Sequence, residues 1–223
     1  SARPRGYVLG VSLGKQKETP LEEAAADYVA VMRAVYNHAD YLAVNISSPN
    51  TPGLRALQGG RYLEGLLAAL MAESRILATS AGGALKPLWV KIAPDLGWDE
   101  LDEVLTALTA AGVAGVIATN TTLAREGRRD PRAAKTGGLS GRPLRARSTE
   151  LIAAIHRRTG GALPIIGVGG IASAGDAREK LDAGAAVVQL YSSLIYAGPR
   201  LPGRILRGLA AQESGQWPAS GRH

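Results

Sequence analysis

Short apolar runs alternate with longer amphipathic segments along the whole chain. The short runs are apolar at consecutive positions, which is typical of parallel strands whose two faces are both covered. The longer segments repeat apolar residues three and four positions apart, which predicts helices with one buried face. The predicted strands cover residues 6–12, 41–46, 87–92, 113–119, 163–168 and 185–190. The predicted helices cover residues 19–36, 63–77, 98–111, 148–158, 173–184 and 201–211.

Repeated strand–helix units predict an α/β fold with a parallel sheet. Two architectures fit this pattern, an open doubly wound sheet and a closed β/α barrel. A barrel has eight units and typically about 250 residues. The six predicted units, in a chain of 223 residues, therefore fall short of closure.

Polar residues or glycines follow each predicted strand. These residues are Ser12, Asn45, Ser48, Lys91, Asn120, Thr121, Gly169, Gly170, Tyr191 and Ser192. Barrel enzymes keep their active sites at the carboxyl ends of the strands, whereas open sheets bind ligands mainly at one crevice. Such groups after six successive strands therefore favour a barrel with one shared site.

Two of these strand ends have alternative interpretations. The loop at 45–55, NISSPNTPGLR, either brings polar groups to a site and covers it or is an ordinary surface turn. Lys91 lies within the apolar segment LWVKIA. It either faces a partner or a ligand anion, because a buried charge needs one, or extends its amine to the surface.

The glycine-rich segment GVGGIA at 167–172 imitates a dinucleotide-binding turn between a strand and a helix. The acidic residue expected at the end of the next strand is missing, and Gln189 stands in that region, which argues against NAD. Glycines before a helix still let backbone N–H groups approach a phosphate. Barrels often bind phosphate after their last two strands.

Composition excludes several classes of protein. The chain is 46% hydrophobic and 20% charged, which suits a folded domain. It has no apolar run long enough for a membrane-spanning helix, and we expect no signal peptide at residues 1–5. The absence of cysteine excludes disulfides, cysteine-ligated metals and thiol catalysis. The three histidines, at 38, 156 and 223, provide no evident catalytic triad, and we expect no metal site.

The net charge of +7 comes from scattered basic clusters, such as those at 125–135 and 142–147. The aromatic residues are only three Trp and seven Tyr. This combination suits small anionic ligands or a solvated surface at least as well as nucleic acid. Acidic lipid is a third interpretation, and we expect no nucleic-acid partner.

The loop at 45–55 resembles the active-site loop of class 2 dihydroorotate dehydrogenases. Further segments are similar to later motifs of that family, in the family's order: VKIAPDL at 90–96, TNTT at 119–122, GGLSGRPL at 137–144, IGVGG at 166–170 and VQLYS at 188–192. The similarity covers residues 6–208 and implies a TIM (β/α)8 barrel with FMN. It also implies oxidation of dihydroorotate to orotate in pyrimidine biosynthesis, with a quinone as electron acceptor.

The resemblance implies a role for each matched residue. Ser48 would be the general base that removes the C5 proton, and class 1 relatives carry Cys there. The residues that would bind the pyrimidine and its carboxylate are Asn45, Asn50, Asn120 and Thr121. The residues that would bind FMN are Ser12, Asn45, Lys91, Thr119, Gly141, Gly170, Tyr191 and Ser192, with the last three near its phosphate. Ser12 stands where many members have Asn, which weakens its assignment.

The family's first two strands and its membrane-docking helices have no counterpart here. We therefore expect residues 1–212 to form a partial barrel of strands three to eight, and residues 213–223 to form a disordered tail. The resemblance implies peripheral attachment, through the missing segment, to the cytoplasmic membrane of a bacterium or the mitochondrial inner membrane. Two alternatives stay open: a non-catalytic barrel fragment, or another FMN barrel that acts on a pyrimidine with NADPH or a protein partner.

Overall fold

The computed structural model describes residues 6–51, 53–125 and 136–214. The strands are β1 (Gly10–Leu13), β2 (Tyr41–Asn45), β3 (Leu88–Ile92), β4 (Gly115–Ala118), β5 (Ile165–Val168) and β6 (Val187–Gln189). The α-helices are α1 (Ala24–Val35), α2 (Gly60–Ser80), α3 (Trp98–Ala111), α4 (Arg145–Arg158), α5 (Ala174–Asp182), α6 (Ser192–Ala197) and α7 (Leu201–Glu213). None of the helices in these three ranges is long and apolar enough to cross a membrane.

The strands form one parallel sheet in the order β1-β2-β3-β4-β5-β6. A doubly wound sheet would reverse its strand order at a switch point. Sequential order with intervening helices instead belongs to a β/α barrel, and the curled sheet is part of one. The predicted fold class is therefore confirmed. Among the described residues, β1 and β6 do not pair with each other, so the sheet stays open.

The two faces of the sheet differ in burial. On the outer face, Leu42, Val44, Val90 and Ile92 are fully buried in the main hydrophobic core with residues of the surrounding helices. The alternate residues of β2 and β3 point to the inner face and are partly exposed. The apolar runs predicted cover on both faces, which holds for β4, whose four residues are all buried, but is wrong for the inner face of β2 and β3. A closed barrel covers that face with its opposite strands, and six strands do not complete the circle.

Two aromatic rings occupy the inner face below the strand ends. Tyr41 packs on β1, where a Cβ added to Gly10 would lie 2.0 Å from its Cζ atom. Trp89 packs on β4 in the same way, where a Cβ added to Gly115 would lie 2.3 Å from its Cζ3 atom. Each glycine therefore leaves room for the ring of its register partner. The rings belong to the apolar part of the inner face, and the polar residues follow toward the carboxyl ends.

Most observed elements match the predicted ones with boundaries that differ by a few residues. Helix α3 has the predicted bounds, but the first strand begins at Gly10 rather than at residue 6. Helix α6 was not predicted, because six residues are too few to display a helical repeat. Helix α7 continues to Glu213, and residues 215–223 of the predicted tail lie outside the described residues.

Candidate active site

A cavity of about 710 Å³ opens at the carboxyl ends of β2 to β6. Its lining includes the predicted residues Asn45, Ser48, Asn50, Lys91, Thr119, Asn120, Thr121, Gly141, Gly170, Tyr191 and Ser192. Ser12 is not among the described residues that line it. Ser12 lies on β1 with an exposed side chain, and its contact with a flavin stays a prediction.

One end of the cavity contains a hydrogen-bonded cluster of Asn45, Ser47 and Asn120, called here the amide cluster. Asn120 Nδ2 donates to Asn45 Oδ1 at 3.1 Å and to Ser47 Oγ at 3.0 Å. The hydroxyl and backbone N–H of Ser47 also donate to Asn45 Oδ1, at 3.2 and 3.3 Å. Ser47 is fully buried. The cluster therefore ties the end of β2 to the end of β4.

The hydrogen bonds fix which way both amides face. Three donors surround Asn45 Oδ1, and the backbone N–H of Thr121 donates to Asn120 Oδ1 at 2.8 Å. Rotating either amide by 180° would place donor against donor. Among the described residues, Asn45 Nδ2 has no acceptor, and Asn45 lines the cavity. Asn45 is thus oriented to donate to a ligand oxygen.

Ser48 follows the amide cluster and also lines the cavity. Its Oγ atom accepts a hydrogen bond from the backbone N–H of Asn50 at 3.3 Å. This bond uses a lone pair and leaves the O–H group free to turn toward a ligand. No carboxylate or imidazole of the described part of the chain hydrogen-bonds to it. Ser48 therefore depends on the ligand or on water for a second partner.

A second loop closes directly over this end of the cavity. A Cβ added to Gly138 would lie 1.7 Å from Thr121 Oγ1 and 2.8 Å from Pro49 Cγ. The neighbouring Thr122 and Leu139 form an antiparallel bridge, with N–H to O distances of 3.1 and 2.8 Å. Only glycine allows the backbone at 138 to approach so closely. Gly138 thus brings three loops together around the same space.

Lys91 extends from β3 on the inner face, next to Asn45 in the register of the sheet. It lines the cavity, and burial lowers its pKa below the ordinary lysine value. Within the described ranges its amine forms no ion pair. Burial disfavours the charged amine, and a negatively charged ligand beside it would stabilise that charged form, so the two would attract each other. Lys91 therefore faces the cavity, as the ligand-facing interpretation of the sequence requires.

The opposite end of the cavity is formed by Gly141, Gly169 and Gly170, called here the glycine cradle. Their φ angles are 79°, 130° and 72°, which side chains rarely permit. A Cβ added to Gly170 would lie 2.5 Å from the Cβ of Arg145. A backbone without side chains leaves its N–H groups accessible to an anion. The cradle therefore has the form of a phosphate site.

A group of charged residues supports the cradle from behind, and we call it the support cluster. The fully buried Lys180 donates to the backbone carbonyl of Arg145 at 2.7 Å. Arg145 forms ion pairs with Asp176, at 2.5 Å, and with Glu179. Asp176 also accepts a hydrogen bond from the backbone N–H of Ala172 at 3.0 Å. Burial lowers the pKa of Lys180 to about 8. These contacts hold the cradle against α4 and α5.

Known proteins resemble this chain in sequence and in fold. A family model described as dihydroorotate dehydrogenase matches residues 2–212. The chain belongs to the dihydroorotate dehydrogenase family. Among its relatives is the dihydroorotate dehydrogenase (quinone) of Synechococcus sp. strain JA-3-3Ab, 51% identical over 94% of this chain and 55% of the relative. The enzyme of the same name from Aeromonas salmonicida is 56% identical over 87% of this chain and 58% of the relative.

Solved structures of the family agree with this membership. The crystal structure of DHODH from Eimeria tenella in complex with ferulenol superimposes with a TM-score of 0.88 and 37% sequence identity. The superposition covers 95% of this chain and 60% of the Eimeria tenella chain. The chain thus spans somewhat more than half the length of the relatives that it matches.

Sequence reasoning missed three residues at this family site. Ser47 lies two positions after Asn45, so the alternation of a strand could have placed both on one face. Arg55 and Asp95 belong to quoted motifs but received no role, because their contact spans 40 positions in sequence.

Among the described residues, no group of His, Asp or Glu side chains could hold a metal ion.

Proposed function

We propose that this chain is the larger part of a class 2 dihydroorotate dehydrogenase, which oxidises dihydroorotate to orotate with FMN and passes the electrons to a quinone. One observation carries most of the support: a single cavity is lined by Ser48, by Asn45 and Asn120 of the amide cluster, and by the glycine cradle. The relatives are named dihydroorotate dehydrogenase (quinone), which supports a quinone as the acceptor. The reaction belongs to pyrimidine biosynthesis.

The cavity fits FMN in its volume and in its donor groups. About 710 Å³ lies within the range of cofactor sites. The glycine cradle, with Tyr191 and Ser192, would hold the phosphate, and Lys91, Thr119 and Asn45 would contact the flavin ring. When bound, FMN accepts the two electrons that amino-acid side chains cannot take.

The amide cluster and its neighbours would bind the pyrimidine. Asn45 Nδ2 can donate to a carbonyl or carboxylate oxygen. The hydroxyl of Thr121, which donates to Asn120 Oδ1 at a long 3.4 Å, can turn to a ligand oxygen instead, and Asn50 and Asn120 line the same space. Ser48 would remove the proton from C5. A serine hydroxyl acts as a base only where its own proton can leave and bulk water is limited. The contact of the 137–141 loop with Pro49 supports such a cover.

Residues 1–212 would supply barrel strands three to eight, and a further segment of the parent protein would supply the first two. The free edges of the sheet support this arrangement. Tyr7 and Val8 are exposed before β1, and Ile195 and Tyr196 are exposed after β6. Exposed apolar side chains at both edges are expected where covering strands are missing. Membrane attachment and quinone binding would belong to that further segment.

A non-catalytic fragment is the second candidate, and the same open edges favour it. Unpaired strand edges promote association or instability. An intact mass and a visible spectrum of one purified sample separate the two. A mass well above 23.1 kDa with stoichiometric flavin absorbance supports the enzyme, whereas a colourless protein of 23.1 kDa supports the fragment. Assays of the flavoprotein with dihydroorotate and either a quinone or NADPH then test the other open alternative, an FMN barrel that acts on a pyrimidine with NADPH or a protein partner rather than a quinone.

A further inference from the structure

Arg55 joins three loops at the carboxyl end of the barrel. It lies in a short 3-10 helix, Leu54–Gln58, just after the loop that carries Ser48. Its Nε atom donates to the backbone carbonyl of Ser47 at 3.2 Å. Its Nη2 atom donates to the backbone carbonyl of Thr121 at 2.8 Å, and its Nη1 atom pairs with Asp95 at 2.5 Å. One guanidinium thus contacts the loops that follow β2, β3 and β4.

Asp95 completes the link from the other side. Its Oδ1 atom accepts from the hydroxyl of Thr122, and its Oδ2 atom accepts from the backbone N–H of Leu123 at 3.0 Å. Burial acts to raise the pKa of Asp95, but the hydrogen bonds from Thr122, Leu123 and Arg55 outweigh it and lower the pKa. The carboxylate is therefore ionised at neutral pH and pairs with a permanent cation.

The contacted carbonyls flank residues of the proposed reaction. Ser47 precedes Ser48 directly, and Thr121 is a proposed substrate ligand. Neither Arg55 nor Asp95 lines the cavity among the described residues. Their side chains are 21% and 27% exposed, so both are partly shielded from screening by water. The pair can therefore act on the ligand only through the backbone of the loops it holds.

We propose that Arg55 and Asp95 are positioning residues, which fix the distance from Ser48 to the substrate groups after β4. This inference rests on the proposed function, because it assigns Ser48 to proton removal. Proton transfer depends steeply on distance, and a displacement of about 1 Å can cost about 100-fold in rate. A lysine could not replace the arginine, since its single amine cannot reach three acceptors in a plane.

The test compares Arg55→Met and Asp95→Asn in the full-length flavoprotein with Arg158→Met. Arg158 also pairs with a carboxylate, Asp102 at 2.6 Å, but that pair links α4 to α3 away from the cavity. We expect each of the first two variants to lower kcat about 10- to 100-fold. KM and FMN content should change about threefold or less, because the ligand contacts themselves remain. The control should retain wild-type kcat.

A double variant separates positioning from general destabilisation. If Arg55 and Asp95 act as one unit, the double variant loses no more kcat than the worse single variant. Three results would overturn the proposal: losses of kcat that multiply in the double variant, a kcat equal to that of the control, or a loss of kcat that is explained by loss of flavin. Backbone hydrogen exchange gives a readout independent of turnover: Arg55→Met should speed exchange at 46–51 and 119–123, and the control should not. Failure of the wild type to oxidise dihydroorotate would reject the proposed function alone.

Discussion

The two ends of the cavity are held in place by different means. At the amide cluster, three side chains bind one another and leave a spare donor for the ligand. At the glycine cradle the ligand would meet backbone, and the charged side chains stay behind it. This difference predicts which property of the protein a substitution at each end should change. Changes at the amide cluster should alter the chemistry while the cofactor stays, and changes at the cradle should release the cofactor.

The largest effect on cofactor binding is expected for Gly170→Ala in the full-length protein. The new Cβ would lie 2.5 Å from Arg145 Cβ at a φ of 72°, so the cradle must move. A strain of about 1–3 kcal/mol corresponds to about 5- to 150-fold weaker FMN binding. Flavin titration by fluorescence measures it. Gly175→Ala on α5 is the matched control, because its Cβ meets only Ser173 Oγ at 3.7 Å. Equal FMN affinity in both variants would contradict the account.

The next largest effect is expected for a substitution in the amide cluster, at the other end of the cavity. Ser47→Ala removes one hydrogen-bond partner each from Asn45 and Asn120 in a fully buried place. A lost buried hydrogen bond costs about 1–3 kcal/mol, which predicts about 10- to 100-fold lower turnover with FMN retained. Ser80→Ala, at the exposed end of α2, is the control. If Ser47→Ala lost flavin but kept normal turnover per bound flavin, the two ends of the cavity would not have the separate roles predicted here.

The smallest effect concerns the support cluster. Lys180→Met removes hydrogen bonds to the Arg145 carbonyl and to Thr149 Oγ1, so we expect about 1–3 kcal/mol lower free energy of unfolding. Only a modest loss of FMN affinity should accompany it, because the glycines themselves are unchanged. Denaturant titration measures the first quantity and flavin titration the second. An unaltered free energy of unfolding would show that the buried amine does not stabilise the cradle.

The same lysine predicts a pH dependence. Burial lowers the pKa of Lys180 to about 8 from its ordinary 10.5. Between about pH 8 and pH 10.5, Lys180 keeps its proton in the unfolded chain but has lost it in the folded chain. The free energy of unfolding therefore rises with pH in this window. The free energy of unfolding of the wild type should therefore rise relative to that of Lys180→Met from about pH 8 upward. A difference that is constant with pH would contradict the shift.

Sequence reasoning selected residues that line one cavity because barrel geometry brings strand ends together; their roles stay predictions. Asn45, Lys91, Thr119 and Ser192 lie far apart in sequence, yet they line one cavity. Parallel strands place their carboxyl ends at one edge of the sheet, and the sequential strand order places these ends around one cavity. Alternation of strands and helices predicted the parallel sheet, and the polar residues after successive strands favoured the barrel order over the doubly wound one. The glycine turn at 167–172 was likewise recognisable from its position between a strand and a helix.

The features that sequence reasoning missed depend on contacts between distant segments. The link from Arg55 to Asp95 joins two loops whose approach only the folded sheet creates. The open inner face was missed because an apolar run has the same pattern whether or not other strands cover it. Gly138 gave no local signal, since its constraint comes from Thr121 and Pro49.

The most direct test of the proposed chemistry is Ser48→Ala in the full-length flavoprotein. Rapid mixing with dihydroorotate measures the rate of flavin reduction, and orotate titration measures binding. The variant should retain FMN and bind orotate but lose about 100- to 10,000-fold in the reduction rate, because the proposed base for the C5 proton would be missing. A reduction rate equal to that of the wild type would contradict the assignment of Ser48 and the mechanism built on it.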